Sequence, residues 1–299
     1  MKYKFMLFNR KTGGEKVFII ANYLFLTLLT LVTLFPLINV LAVSLSSSRA
    51  IMSGEVSFLP IEANADAYRN IVKSGVIFNA MKNTVLVTIV GTVLNMLFTV
   101  LAAYPLSKKR LVGRKYIMWF IMFTMLFSGG MIPSFILVKT LGLINQYWAL
   151  WLPPLISVYN MIILRTFFQG IPESLEEAAS IDGASAFYIL IRIILPLSKP
   201  ALATVGLFYA VGFWNNYMDA LIYITSSQKF TLMVRLLQMI TQISQDMTYT
   251  GEGAGRAQQL TPEAVKAASI VVAMVPIMCV YPFLQKHFVK GVMIGSVKG

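Results

Sequence analysis

The sequence is short of most of what a soluble or self-sufficient catalytic protein needs. Only 12% of its 299 residues are charged, against about a quarter in an ordinary globular domain. Water is therefore not its main solvent. There is one cysteine, Cys279, and one histidine, His287. A single cysteine excludes an intrachain disulfide framework and a thiolate metal site; set inside an apolar run, Cys279 is expected to be a small buried residue. His287 stands beside Lys286 at the end of the last apolar run, and no HExxH, Cys/His cluster or pair of intramembrane carboxylates occurs. The glycine run Gly251-Glu252-Gly253-Ala254-Gly255-Arg256 lacks the Gly-Lys-Ser/Thr ending of a phosphate cradle. It reads as a flexible loop, so neither catalysis nor a nucleotide site is expected in this chain.

What is present is apolar. Hydrophobic residues make up 57% of the chain and mean hydropathy is +0.73. A helix crosses the hydrocarbon layer in about 20 residues, and six segments qualify: Val17–Leu45, Phe78–Tyr104, Tyr116–Val138, Tyr147–Leu164, Ala201–Ile224 and Ala264–Leu284. The first is too long for a signal-peptide core and should remain as a helix. The expected fold is all-α and integral to the membrane, with six transmembrane helices. Gly129-Gly130, Pro133 and Pro153-Pro154 interrupt the third and fourth segments, which is tolerated where neighbours satisfy the freed carbonyls. Kinks facing the protein interior are expected there.

The net charge is +13. In a membrane chain basic residues set orientation and touch anionic membrane lipid, so nucleic acid is not an expected partner. Lys2, Lys4, Arg10, Lys11 and Lys16 precede the first segment; Lys108, Lys109, Arg110, Arg114 and Lys115 follow the second; Lys286, Lys290 and Lys298 follow the last. Six spans bring these regions to one side. The division is then a cytoplasmic amino terminus (1–16), a six-span domain (17–285) and a cytoplasmic tail (286–299), in a bacterial inner membrane. On the outer side, Ala65–Ser74 reads either as a surface helix with Ala67, Ile71 and Val72 inward or as an exposed linker. Lys229, Arg235, Arg256 and Lys266 slightly outnumber Asp246, Glu252 and Glu263 there, a weak pointer to an acidic solute.

The most informative stretch runs from Ile171 to Pro200 and lies between the fourth and fifth segments. Pro172 suits a first turn, while Glu173, Glu176 and Glu177 place negative charge at the positive end of a helix. At 100° per residue Leu175, Ala178, Ala179 and Asp182 share a face, and Gly183 can turn the chain with a positive φ. Two uses fit this knuckle: packing against the other spans, or close approach by a separate body. The residues Glu177-Ala178-Ala179, then Gly183, then Ile193, Leu195 and Pro196 resemble, without departure, the EAA signature of permease subunits in binding-protein-dependent ABC importers.

That resemblance implies a coupling helix within 171–196 that docks on a separate ATP-binding subunit. Glu177 would be its polar anchor, Ala178 and Ala179 its close-contact surface beside Asp182, and Gly183 its turn. Phe213-Trp214-Asn215-Asn216 and the closing run from Tyr281 to Gly299 look like the LplC-like branch of the carbohydrate-uptake, MalG-like class. The implied partners are a second homologous permease forming a heterodimer, a dimer of the ATP-binding subunit, an extracytoplasmic solute-binding protein and a carbohydrate substrate, in that class commonly an oligosaccharide. No cofactor is implied in this chain, since ATP and Mg²⁺ would belong to the ATPase.

The fifth segment carries Trp214, Asn215, Asn216, Tyr217, Asp219 and Tyr223 within ten residues. An intramembrane charge needs a cavity, a partner or an interface, and a sugar pathway needs hydroxyl-matching groups with flat aromatic surfaces. These six are candidates to line the pathway, or to serve the interface belt and the subunit contact. Two other functions remain open: a gradient-driven secondary transporter, for which Asp219 is a nearly solitary ionisable residue, and an ABC permease for a non-sugar solute.

Overall fold

The computed structural model describes residues 12–249 and 261–296, with side chains described except at 74, 240, 242–249 and 280–296. Lys2, Lys4, Arg10, Lys11, the glycine run from Gly251 to Arg256, and Lys298 lie outside the described residues, as do the side chains of Asp246, Lys286, His287 and Lys290. Every regular element among the described residues is a helix or helical turn. The chain divides into two compact units, residues 1–73 with 242–272 and residues 74–241 with 273–299.

In the first unit, α1 (Gly13–Ser44) is a 32-residue helix, about 48 Å long at 1.5 Å per residue. The Thr12 N–H donates to the Glu15 carboxylate at 3.1 Å, closing its first turn. Large apolar side chains from Val17 to Leu41 are exposed around the helix, as expected where lipid or a partner covers it. Two of its hydroxyls are satisfied within the helix: Thr30 donates to the Leu26 carbonyl and Thr33 to that of Leu29. Two short helices follow, α2 (Ser48–Met52) and α3 (Asp66–Ser74). In α3 Ala67 and Ile71 are buried as the pattern suggested, but Val72 is 76% exposed. Val72 lies about 120° from the middle of the face that Ala67 and Ile71 share, whereas Tyr68, about 80° from it on the same side, is half-buried and bonded to Ser44.

The second unit is built on α4 (Val76–Ser107). It continues through α5 (Arg114–Leu126), α6 (Met131–Thr140), α7 (Trp148–Trp151), α8 (Val158–Gln169), α9 (Glu173–Ile181) and α10 (Ala186–Ile189). A π-helical turn (Leu190–Ile194) and α11 (Leu195–Leu197) lead into α12 (Lys199–Asn215) and α13 (Met218–Tyr223). After a 3-10 turn (Ser227–Lys229), α14 (Leu232–Tyr249) and α15 (Pro262–Ser296) complete the order, each starting in one unit and ending in the other.

Small residues explain why α4 is central. Ala80, Thr84, Val87, Gly91, Asn95, Thr99 and Ala103 recur every three or four positions and are buried along it, Gly91 included. Small side chains at such a seam let helix backbones approach closely. A Cβ on Gly91 would lie 2.6 to 2.9 Å from the ring of Phe213 on α12, and Phe213 is itself buried. Gly91→Ala should therefore destabilise by overpacking, about 1–3 kcal/mol, seen as a lowered thermal midpoint of the purified chain. Polar groups tie the seam as well: Thr99 bonds the Tyr209 hydroxyl at 2.7 Å, and Trp151 Nε1 donates to the Val87 carbonyl at 3.1 Å.

Among the described residues three helices are long and apolar enough to cross a membrane, α1, α4 and α15 up to Cys279, or up to five spans if each of two bent helix pairs counts as one. The expected third segment is not one kinked helix. It separates into α5 and α6, bent by 109°, because Gly130 adopts φ +85° between them. The fourth segment is interrupted at Pro153-Pro154 as expected, and Asn95 Nδ2 satisfies the Pro154 carbonyl at 2.7 Å. The fifth breaks after Asn215. Cys279 corrects another expectation: it is exposed, because an apolar run facing lipid or a partner leaves its small residues at the surface.

Candidate coupling surface and pathway

The knuckle forms where the chain leaves α8. Glu173 and Glu176 occupy the first turn of α9, where the helix dipole favours them. Its end is a Schellman turn: Gly183, at φ +83°, donates to the Ser180 carbonyl at 3.1 Å, and Ala184 donates to that of Ala179 at 2.9 Å. Ser185 then caps α10, its hydroxyl accepting from the Tyr188 N–H at 3.2 Å. In the π-helical turn that follows, the Leu195 N–H reaches back to the Leu190 carbonyl. The next residue, Pro196, has no N–H to give, and the chain bends by 85° between Leu197 and Lys199 into α12.

The signature residues divide by environment. Glu177, Ala178, Asp182, Gly183 and Pro196 are exposed, whereas Ala179, Ile193 and Leu195 are half-buried against the core that holds Ile189, Leu190 and Ile194. Leu175 and Ile181 are exposed apolar neighbours, Ile181 at 86%. One part of the motif thus fastens the knuckle and the other presents a surface.

The fastening residue that sequence reasoning missed is Glu176. It is buried, and its carboxylate accepts from the Lys108 ammonium at the end of α4. That ammonium also lies 4.5 Å from the Tyr104 ring. Both partners keep only 12–13% side-chain exposure. The helical repeat held a signal, since Glu176 stands about 100° from the Glu177 direction. The neighbouring pair Lys109–Glu173, at 3.6 Å and well exposed, contributes little.

The pathway candidates gather at the break after α12. The Asn216 amide donates to Asp219 Oδ2 at 2.8 Å and accepts from the Asp219 N–H at 3.2 Å, so the pair caps α13 across the break. Asn215 and Tyr217 are exposed, while Trp214 is half-buried with no partner for Nε1 among the described residues. Tyr223 turns inward, stacked on Phe135 with 6.3 Å between ring centroids. Trp214 to Asp219 thus flank the break, and Tyr223, one helical turn after Asp219 on α13, points inward.

Residues 95–294 match the family described as the binding-protein-dependent transport system inner membrane component. The chain belongs to that family. Its members are transport permease subunits, not enzymes. This permease is 44% identical to the polygalacturonan/rhamnogalacturonan transport system permease protein YtcP of Bacillus subtilis, over 95% of the chain and 99% of that protein. It is 43% identical to the protein LplC of the same organism, over 97% of each chain. Among solved structures it matches a bacterial ABC transporter involved in import of the acidic polysaccharide alginate, with 34% identity and a TM-score of 0.85. That match covers 93% of this chain and 99% of the other. The permease fold is thus all-helical and of the ABC importer type, and the likeness reaches further toward the amino terminus than the motifs did.

Proposed function

We propose that this permease forms half of the translocation pathway of an ABC importer for an oligosaccharide, and that the solute is acidic. Residues 171–196 couple it to an ATP-binding subunit dimer, and a second, related permease and an extracytoplasmic solute-binding protein complete the assembly. Six spans place both termini and the knuckle in the cytoplasm, with the bent pair α5 and α6 and the interrupted pair α7 and α8 each counted as one. ATP and Mg²⁺ belong to the partner ATPase.

The observation that carries this reading is the exposed surface of Leu175, Glu177, Ala178 and Ile181 on a short helix whose far side is pinned by the buried Glu176. A helix held from behind and bare in front fits a docking element for a rigid partner. Support for an acidic solute comes from similar proteins, one named for polygalacturonan/rhamnogalacturonan transport and one involved in import of the acidic polysaccharide alginate, and from the slight basic excess of the outer connections. Asn215, Asn216, Tyr217 and Asp219, with Trp214, supply donors, acceptors and aromatic faces for sugar at the break in the fifth span; Tyr223 would support them from behind.

The test is ATP hydrolysis by the assembled transporter in lipid nanodiscs, with binding proteins loaded with acidic or neutral oligosaccharides. Stimulation by an acidic-sugar-loaded binding protein is expected. Glu177→Ala should reduce that stimulation about tenfold, the loss of one charge-assisted hydrogen bond, with the chain still in the membrane. Unchanged stimulation in the variant would remove Glu177 from the coupling surface. Ion-driven uptake by the chain alone would overturn the importer reading.

A further inference from the structure

At the foot of α5 a cavity of about 620 Å³ opens beside the turn that joins α4 to α5. Its polar rim is Lys109, Arg114, Lys115 and Arg165, its apolar side includes Trp119 and Met122, and no acidic residue lines it. We propose that this cavity binds the headgroup of an anionic phospholipid, with an acyl chain lying along α5.

The rim concentrates positive charge that the protein leaves uncompensated. Among the described residues Lys109 has a carboxylate partner, the exposed Glu173 at 3.6 Å, and Arg114, Lys115 and Arg165 have none. Oriented to satisfy its neighbours, the Gln169 amide oxygen accepts from both guanidiniums, those of Arg114 and Arg165. One neutral oxygen orients two cations without neutralising them. Arg165 is fixed further by donating Nε to the Leu106 carbonyl at 2.9 Å. Two aligned cations without a counter-ion form a prepared anion site.

Backbone geometry adds to it. Gly113 takes φ +75° just before α5, so the helix begins abruptly and its first N–H groups and dipole lie at the rim.

The apolar flank decides between a lipid and a free anion. Tyr116, Trp119 and Phe120 are 80%, 67% and 70% exposed along the first turns of α5, an aromatic belt of the kind found at headgroup depth. A dissolved phosphate would use the rim and gain nothing from this flank, whereas a phospholipid uses both. Basic pockets between spans at a membrane face recognise such headgroups. The proposal rests on the chain's place in a bilayer and is independent of which solute it carries; only the assignment of the site to the cytoplasmic leaflet rests on the orientation proposed above.

Native mass spectrometry of the purified full chain, titrated with phosphatidylglycerol or phosphatidylcholine, tests it. Phosphatidylglycerol should be retained preferentially, and Arg114→Gln with Arg165→Gln should weaken its binding about thirtyfold with phosphatidylcholine unaffected. Lys109→Gln with Lys115→Gln alters only the exposed rim and should give a loss of similar size if the first pair fails to fold. Lys73→Gln on α3 should change nothing. Equal retention of phosphatidylglycerol by native and rim variants would overturn the proposal. So would its displacement by millimolar inorganic phosphate, which would mark a free-anion site. Loss of the ATP-binding subunit from the assembled transporter carrying the rim substitutions, with lipid retained, would likewise overturn it, by making the rim a protein contact.

Discussion

Replacing Glu176 by alanine is expected to destabilise the chain by about 3–5 kcal/mol, the usual result of removing one member of a buried ion pair. The carboxylate it removes is the only one paired with Lys108 among the described residues. With 13% side-chain exposure, that ammonium would keep only the face of the Tyr104 ring, which compensates an isolated charge in part. Two readouts should move together: the thermal midpoint of the solubilised chain, and hydrogen-exchange protection across 173–181, because Glu176 ties α9 to the end of α4. Glu176→Gln keeps a hydrogen bond and should fall between. The double change Lys108→Met with Glu176→Leu should recover most of the stability, since apolar replacement of a buried pair is often neutral or better. A loss below about 1 kcal/mol for Glu176→Ala would show that Lys108 reaches water, as an exposed pair would allow.

The contrast between Glu176 and Glu177 shows how far the sequence could be read. The knuckle itself was legible, because its signals are local: acidic residues at a helix start, alanines on one face, a glycine at the end. Those signals put Leu175, Ala178, Ala179 and Asp182 on one face, of which Ala179 is half-buried against the core and the other three are exposed together with Glu177. The role of Glu176 was hidden, because it depends on Lys108, 68 positions earlier. Lys108 lies in a basic cluster that orientation rules alone would explain. The pathway candidates show the same limit. A count of polar residues gathered Trp214 to Tyr223 as one group, but Tyr223 packs inward on Phe135 beyond the break at Asn216 and Tyr217. Apolar length located the segments well where a helix runs unbroken, as in α1 and α4. It could not distinguish a kink from the 109° turn at Gly129-Gly130, since hydropathy carries no information about φ.

Gly183→Val is the change expected to act most selectively on transport. At φ +83° an L residue enters the left-handed region at a cost of roughly 1–2 kcal/mol, and a β-branched one fares worst. No atom lies within 4 Å of where a Cβ would stand, so the penalty is purely conformational. The chain can relieve it by changing φ, which breaks the hydrogen bonds from Gly183 and Ala184 to the Ser180 and Ala179 carbonyls and swings α9 relative to α10. The helix would survive but, on the coupling role proposed for it, would face the ATP-binding subunit wrongly. Solute transport should fall about tenfold or more, with basal ATP hydrolysis and the amount of chain in the membrane little changed. Gly183→Asn supplies the decisive comparison. Asparagine fills the same open space yet tolerates the left-handed region, so transport should largely persist. Equal loss in both variants would mean that any side chain there obstructs the partner, and full transport in the valine variant would mean that the turn at Gly183 does not set the angle of the coupling surface.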